Sequence, residues 1–385
     1  MNFQLPEELV MLQKAIRRFV EKECLPLEQQ LCNTDPDWVE LPKEDFDRIA
    51  NKLKENGLWA LDVPEKYGGG GLGPLAMVVV TEEISKTTIG TAHHSPFGGR
   101  VPGILYNAKG EQIDKYLLPV IRGEKRPAMA NTEPGAGSDA AAIQTTAVKD
   151  GDNWIINGTK IFSTMADKAD FLFVTAVTDK EKRRNGGITM FLVDTNTPGF
   201  QVTRTIPVIR PQYTTELVFN NVVVPSANVL GEVGQGFQLF KEWAAYGRIR
   251  MAAACLGMAQ RALEMSIAHA KQRVTFGQPL AKRQAIQWML ADSAVELKAA
   301  RLLTYETAWK MEHGIDVLEE ASMCKLYATE MAFNVLDRAI QIHGGMGLTK
   351  ELPLERWFRE VRVMRIVEGA SEIQRFVIAR QLLRD

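Results

Sequence analysis

Close to the C-terminal end, in the run RIVEGASEIQR (Arg365–Arg375), one carboxylate, Glu368, stands between Ile366-Val367 and Gly369-Ala370. Arg359, Arg362, Arg365 and Arg375 lie within ten positions of it, and Arg356 just beyond. Such a carboxylate has two readings. It is one more charge on the solvated face of a basic helix, or it is a general base whose apolar neighbours strip it of water and raise its proton affinity. Its immediate neighbours leave both open.

Three further stretches are too polar and glycine-rich for packing alone. In NTEPGAGSDAAAIQTTA (131–147), the loop from Pro134 to Ser138 leaves backbone N–H groups free, and Thr132 and Ser138 add hydroxyls. Such a loop cradles an anion or a polar ring edge, or is a plain turn; no strand–GxGxxG–helix unit surrounds it. QRVTFGQPLAKRQAIQ (272–287) places Arg273, Thr275 and Phe276 together, a fork for phosphate and a ring for stacking, or else a helix–helix loop. In QIHGGMGLTKELP (341–353), Gly344, Gly345 and Gly347 cap a helix or let backbone approach another body closely. His93 and His94 have no third ligand or nucleophile at useful spacing and read as structural or exposed. No GxSxG, Walker loop or HExxH occurs.

The elements around these stretches fall into three blocks. From Leu5 to Gly123 the pattern is helical: LVMLQKAIRRFVEKECLPLEQQ, then EDFDRIANKLKENG ending at Gly57, and LAMVVVTEEISK after a flexible loop, EKYGGGGLGP. From Ala128 to Leu230, five runs rich in β-branched and aromatic residues predict strands: WIINGTKIF, ADFLFVTAV, ITMFLVD, FQVTRTI and ELVFNNVVVP. Turns are expected at Asn157-Gly158, Asn185-Gly187 and Pro198-Gly199. From Gly236 onward long helices return. Ala321, Cys324, Ala328, Met331, Val335, Ala339 and Ile342 recur every three or four residues, the core stripe of a bundle helix. The expected fold is α+β: an N-terminal α-helical domain (1–125), a middle β-barrel or sandwich (126–235) and a C-terminal four-helix bundle (236–385) that carries Glu368.

Composition narrows the function classes. The 385 residues are 45% hydrophobic and 24% charged with a net charge of −1, which gives no basic bias toward nucleic acid. Four scattered cysteines form no CxxC or metal motif and point to a reducing compartment. The N-terminus has no signal-like apolar region, and no run of eighteen apolar residues occurs, so an intracellular, cytoplasmic protein without a membrane span is expected (mitochondrial matrix for a mature eukaryotic form).

Taken together, NTEPGAGSD, NGTKIFST, QRVTFGQPLAKRQAIQ, QIHGGMGL and IVEGASEIQR, in that order on a helix–strand–helix plan, resemble the acyl-CoA dehydrogenase family over essentially the whole chain. The resemblance implies FAD bound between the β domain and the bundle, in a homotetramer built as a dimer of dimers. It implies that Thr132 and Thr164 contact the isoalloxazine beside Phe162, and that Ser138 lies near both flavin and the pantetheine arm of an acyl-CoA. Arg273, Thr275, Phe276, Gln284, Gln341 and Gly345 would hold the pyrophosphate and adenosine half of a neighbouring subunit's FAD. Arg248 matches a position usually kept as arginine beside the substrate. Glu368 aligns with the base that takes the α-proton while a β-hydride leaves for flavin N5, with N–H and ribityl hydroxyl donors polarising the thioester carbonyl. Gly369 leaves room for the acyl chain, and the electrons go to an electron-transfer flavoprotein. One branch carries its base at the position of Gly247, where this chain has no carboxylate. Val367, Ala370, Phe162 and Asn131 depart from the commoner tyrosine, threonine, tryptophan and apolar residue. An oxidase, or a decarboxylating or eliminating dehydrogenase of an ω-acidic acyl-CoA, is the alternative on the same scaffold, with Arg100 as the cation to inspect. A flavin-free binding or assembly protein is the non-enzymatic reading.

Overall fold

The computed structural model describes residues 4–98 and 101–383, which divide into two compact units. The first comprises residues 1–64, 69–97 and 245–385; the second comprises 65–68 and 98–244.

The chain opens with α1 (Glu7–Phe19), whose first turn carries Glu7 and Glu8 and whose last carries Arg17 and Arg18, complementing the helix dipole. A π-helical turn, Val20–Cys24, leads into α2 (Leu25–Thr34). Next, α3 (Lys43–Glu55) buries Ile49, Ala50 and Leu53 and stops as expected at Gly57, in the left-handed region at φ 67°. In α4 (Pro74–Ile84) every residue from Leu75 on is buried, including Glu82 and Glu83. The short α5 (Thr88–Thr91) is capped by the Thr87 hydroxyl on the Ile89 amide. The glycine stretch read as flexible is pinned instead. Gly70 and Leu72 amides donate to the Ala60 and Leu61 carbonyls, and a Cβ on Gly69 would lie 2.2 Å from the Val63 oxygen. Here glycine serves close backbone approach, not mobility.

The second unit holds α6 (Leu118–Arg122) and a curled seven-stranded sheet: β1 (Pro127–Ala130), β2 (Thr146–Asp150), β3 (Asn153–Thr164), β4 (Phe171–Val177), β5 (Ile188–Asp194), β6 (Phe200–Pro207) and β7 (Tyr213–Pro225). The five expected strands are all present. The other two, β1 and β2, were illegible because PAMA has no β-branched residue and TAVKD ends in exposed polar positions. Order along the sheet is β1-β4-β2-β3-β7-β6, with β5 antiparallel to β4. Asn157-Gly158 is not a turn. It lies inside β3 at a register shift against β7, and the reversal is at Gly151 instead, where φ is 53°. A second shift, between Lys160 and Ser163, inserts one extra residue into β3 and twists the strand where Phe162 stands.

In the helical remainder, α7 (Gly236–Gln272) is followed by a minimal hairpin of β8 (Val274–Thr275) and β9 (Gln278–Pro279), then α8 (Gln284–Glu312), α9 (Leu318–His343), α10 (Leu354–Met364) and α11 (Ser371–Leu382). The expected α9 stripe is the core: Ala321, Cys324, Ala328, Met331, Val335, Ala339 and Ile342 are all buried. Cys324, Ala328, Met331, Val335 and Ala339 pack with Cys255, Leu256 and Ala259 of α7, Leu297 and Ala300 of α8, and Trp357 and Val361 of α10. All four cysteines are free.

The β unit contains a buried ion pair that tests its construction. Lys160 is fully buried, and its Nζ donates to Glu133 Oε1 at 2.8 Å and to the Asn131 carbonyl at 3.0 Å. Burial pulls the ammonium down to about 8, against the pull of Glu133. Burial alone would raise Glu133, but Lys160 and the amides of Gln144 and Thr145 hold it below the usual carboxylate range. Removing the cation alone leaves a dry, uncompensated charge, so Lys160→Met is expected to cost about 3–5 kcal/mol in chemical denaturation. Pairing it with Glu133→Gln recovers part of that loss; a double variant no more stable than the single one would mean that Glu133 is not the charge left uncompensated.

Candidate functional site

Glu368 lies between α10 and α11 in a left-handed backbone (φ 53°), followed by Gly369 at φ 91°. For glutamate that conformation costs on the order of 1–3 kcal/mol and persists only where surroundings over-determine it. Those surroundings are visible. Lys325 of α9, fully buried, donates from Nζ to the Gly369 carbonyl at 2.8 Å. Gln374 Nε2 donates to the same carbonyl at 2.7 Å and to that of Glu368 at 3.3 Å. Ser371 at the start of α11 donates to Glu330, which also pairs with Arg365 at 2.7 Å, so both flanks of the loop are tied to α9.

The turn directs the carboxyl toward α7. The residue is half-buried, but Oε2 is shut off from water and has no hydrogen-bond partner among the described residues. A Cβ built on Gly247 would lie 2.1 Å from that oxygen. Glycine at 247 therefore provides the space the carboxyl occupies. Burial pushes the Glu368 carboxyl above the usual range, opposed by Arg250, Lys325 and Arg248. Burial in turn pulls Lys325 down to about 8. Arg248 donates from Nη1 to Ser322 Oγ at 3.1 Å, while its Nε is solvent-excluded and unpartnered. Three of the arginines conspicuous in the sequence are engaged elsewhere. Arg356 lies over the Trp38 ring, Arg359 pairs with Glu355 and Asp37, and Arg365 pairs with Glu330.

In the β unit, the Ile161 amide donates to the Thr132 carbonyl at 2.8 Å, which sets the Thr132 segment beside the β3 bulge. Phe162, at φ 58°, is held out from that bulge and is 56% exposed. A bulge re-aims a side chain, here an aromatic that regular β3 would place otherwise. Thr132 and Thr164 are half-buried nearby in the chain, and Ser138 is exposed on the loop. Ser163 Oγ, Thr214 Oγ1 and Gln212 Nε2, on β3, β7 and the turn before β7, are buried without partners. Asn131 has its own donor, the Thr175 hydroxyl at 2.7 Å, which explains a polar residue there.

The Arg273 motif forms the β8–β9 hairpin, not an irregular loop. Its two turn residues, Phe276 and Gly277, have φ of 48° and 78°, as a tight hairpin of this hand requires. Phe276 is 97% exposed, and Arg273 and Gln284 are exposed on either side of the hairpin. His269 stacks on His343 with centroids 4.5 Å apart, which sets the end of α7 beside the end of α9. Gln341 and Gly345, both exposed, thereby share one end of the bundle with Arg273 and Thr275. Arg100 lies outside the described residues. His94 stacks on Phe46. Sequence reasoning missed Lys325 and Arg250; a lysine inside the apolar α9 stripe was the one available signal.

Three family models cover the chain: acyl-CoA dehydrogenase N-terminal domain over residues 6–124, middle domain over 128–222 and C-terminal domain over 234–383. The chain is 44% identical to the (R)-benzylsuccinyl-CoA dehydrogenase of Thauera aromatica over 100% of this chain and 98% of that protein. Among solved structures it resembles the butyryl-CoA dehydrogenase of Megasphaera elsdenii, at TM-score 0.88 and 35% identity with both chains fully covered. A chain in the structure of the electron transferring flavoprotein of Acidaminococcus fermentans matches at TM-score 0.88, 35% identity and full coverage of both. The FAD complex of PigA matches at TM-score 0.90 and 28% identity over 99% of each chain.

The raised Glu368 carboxyl has a consequence for stability. A carboxyl whose folded pKa lies above its unfolded value favours the fold in its neutral form. That contribution is full below the unfolded value, about 4.3, and is lost as pH rises through the folded one. Glu368→Gln is therefore expected to melt higher than wild type at pH 7–8, with the difference shrinking toward pH 4. A difference that grows on acidification would reverse the assignment.

Proposed function

The chain belongs to the acyl-CoA dehydrogenase family of FAD-binding oxidoreductases that act on CH–CH groups, and we propose that it converts an acyl-CoA to the 2-enoyl-CoA with Glu368 as the base. The single observation that carries this is Glu368 Oε2, shut off from water, without a hydrogen-bond donor among the described residues and facing the notch at Gly247. An α-proton beside a thioester is weakly acidic, so the base must be a carboxylate that water does not stabilise. Glu368 takes that proton. Lys325 and Gln374, through the Gly369 carbonyl, hold the turn that aims it.

The residues present fit FAD. An exposed aromatic on a strained bulge, with three orphaned buried polar groups on β3, β7 and the turn before β7, suits one face and edge of a flavin ring. We assign Thr132, Phe162 and Thr164 to the ring, and Ser138 to the region shared by flavin and the CoA arm. Arg273, Thr275, Phe276, Gln284, Gln341 and Gly345, gathered at one end of the bundle, are assigned to the pyrophosphate and adenosine half of FAD from a second subunit. FAD held by these residues would supply the acceptor for the hydride that leaves the β-carbon. An electron-transfer flavoprotein as onward acceptor is in keeping with the likeness to the Acidaminococcus structure. Among the described residues no helix is long and apolar enough to cross a membrane. The three domains keep the boundaries 1–125, 126–235 and 236–385 in this reading.

A homotetramer is part of the same proposal. On α8, Trp288, Val295, Leu302 and Trp309 recur every seven residues and are 60%, 70%, 44% and 46% exposed. Such a stripe along one helix is a seam for a second copy of the chain.

Two experiments test these assignments. Glu368→Gln should purify with FAD bound yet lose substrate-driven bleaching of the flavin by about 10²–10⁴-fold in anaerobic stopped flow. Near wild-type bleaching would mean that another group is the base. Leu302→Glu should shift the assembly to a smaller species in light scattering after gel filtration; an unchanged mass would remove α8 from the interface.

A further inference from the structure

Around Glu368 the charges do not balance. Arg250 on α7 is exposed and makes no hydrogen bond or ion pair among the described residues, although of the cations acting on Glu368 it acts most strongly. Arg248 has only the Ser322 hydroxyl, and its buried Nε has nothing. Lys325 donates to the Gly369 carbonyl. Nearby Glu330 is taken by Arg365 and Ser371. Three cations therefore act on a single carboxyl, whose burial favours its neutral form. Among the described residues no ion pair answers the charge of Arg250 or Arg248.

The helix geometry aims this surplus at the reacting carbons. Arg250 follows Gly247 by three positions, so both lie on one face of α7. A long helical side chain covers the turn on the N-terminal side of its own Cα, which for Arg250 is the turn of Gly247. Gly247 has no side chain to block it, and the Glu368 carboxyl sits in that clearing. A guanidinium there is placed to bind a second carboxylate on the acyl group, a few bonds from the α-carbon that Glu368 deprotonates.

We propose that this protein acts on acyl-CoA thioesters whose acyl group bears a further carboxylate close to the α- and β-carbons, with Arg250 as its bidentate partner and Arg248 completing the anion site. This rests on the dehydrogenation reading and adds the substrate class to it. Pairing with the substrate anion also neutralises the strongest cation near Glu368, so binding the correct acid restores proton affinity to the base.

The test compares succinyl-CoA, 2-benzylsuccinyl-CoA and glutaryl-CoA with their monomethyl esters, by anaerobic flavin bleaching of the FAD-loaded protein. At least one acid should exceed its ester in kcat/KM by about ten- to a hundredfold, the effect of one charged hydrogen-bonded pair. Arg250→Gln should collapse that ratio toward one, chiefly through KM, and Arg250→Lys should keep part of it. As a readout independent of turnover, calorimetry on Glu368→Gln protein should show the acid binding at least tenfold tighter than its ester. Acids and esters treated alike by wild type, or a ratio that survives Arg250→Gln, overturns the anion site and leaves dehydrogenation standing. Bleaching by neither acids, esters nor butyryl-CoA overturns the dehydrogenation reading and the anion site with it.

Discussion

A carboxyl oxygen shut off from water and without a hydrogen-bond donor is costly to bury, and the arrangement of the helical unit around Glu368 Oε2 follows from that cost. The backbone at 368 and 369 must leave the ordinary right-handed region to turn the side chain inward. Gly247 must lack a Cβ for the oxygen to fit. The strained turn then needs fixing from elsewhere. Lys325 and Gln374 do this by holding the Gly369 carbonyl, and Ser371 and Arg365 by gripping Glu330 from both sides. Each contact to α9 is a donor spent on the backbone or on another acid, leaving the Glu368 oxygen unpaired.

The β unit shows the opposite treatment of the same functional group. Glu133 is also buried, yet it accepts from Lys160 and from two backbone amides, which hold its carboxyl below the usual range. Glu82 accepts from Arg301 and Tyr305, Glu83 from Arg17 and Lys86, and Glu28 from Arg261, Thr87 and the Thr88 amide. Those carboxylates join helices to helices or a loop to a strand, and each already has its donors in place.

How much of this was legible in the sequence depended on whether the determinant was local. The α9 stripe, the stop at Gly57 and five of seven strands follow from periodicity and turn chemistry within a dozen residues. The glycine run after Glu65 was misread because composition reports freedom, whereas contact with Ala60–Val63 removes it. Asn157-Gly158 was misread because a strand bulge and a hairpin turn recruit the same residue types. Glu368 itself was readable through its motif, but its supports were not. Lys325 is forty-three positions upstream on another helix, and Arg250 is more than a hundred away, a solvent-facing cation by any local criterion. No pattern within either helix links them to the loop; only the packing of α7, α9 and the α10–α11 turn does.

Placing cations near a base is chemically awkward, because each lowers its affinity for a proton. Yet Arg250, Lys325 and Arg248 all act on Glu368. The conflict eases if the three are separated by task. Lys325 is committed to a carbonyl, and its burial draws its own proton affinity down. Arg248 is anchored to Ser322 by one nitrogen, with another left over in a dry environment. Arg250, exposed and unpaired, has no structural task that its contacts reveal. A cation that weakens a base before substrate arrives, and is neutralised when it does, makes the base strongest in the complex where it is needed. On that view the unbalanced charge at the mouth of the Gly247 notch is part of how the site distinguishes the molecule it deprotonates.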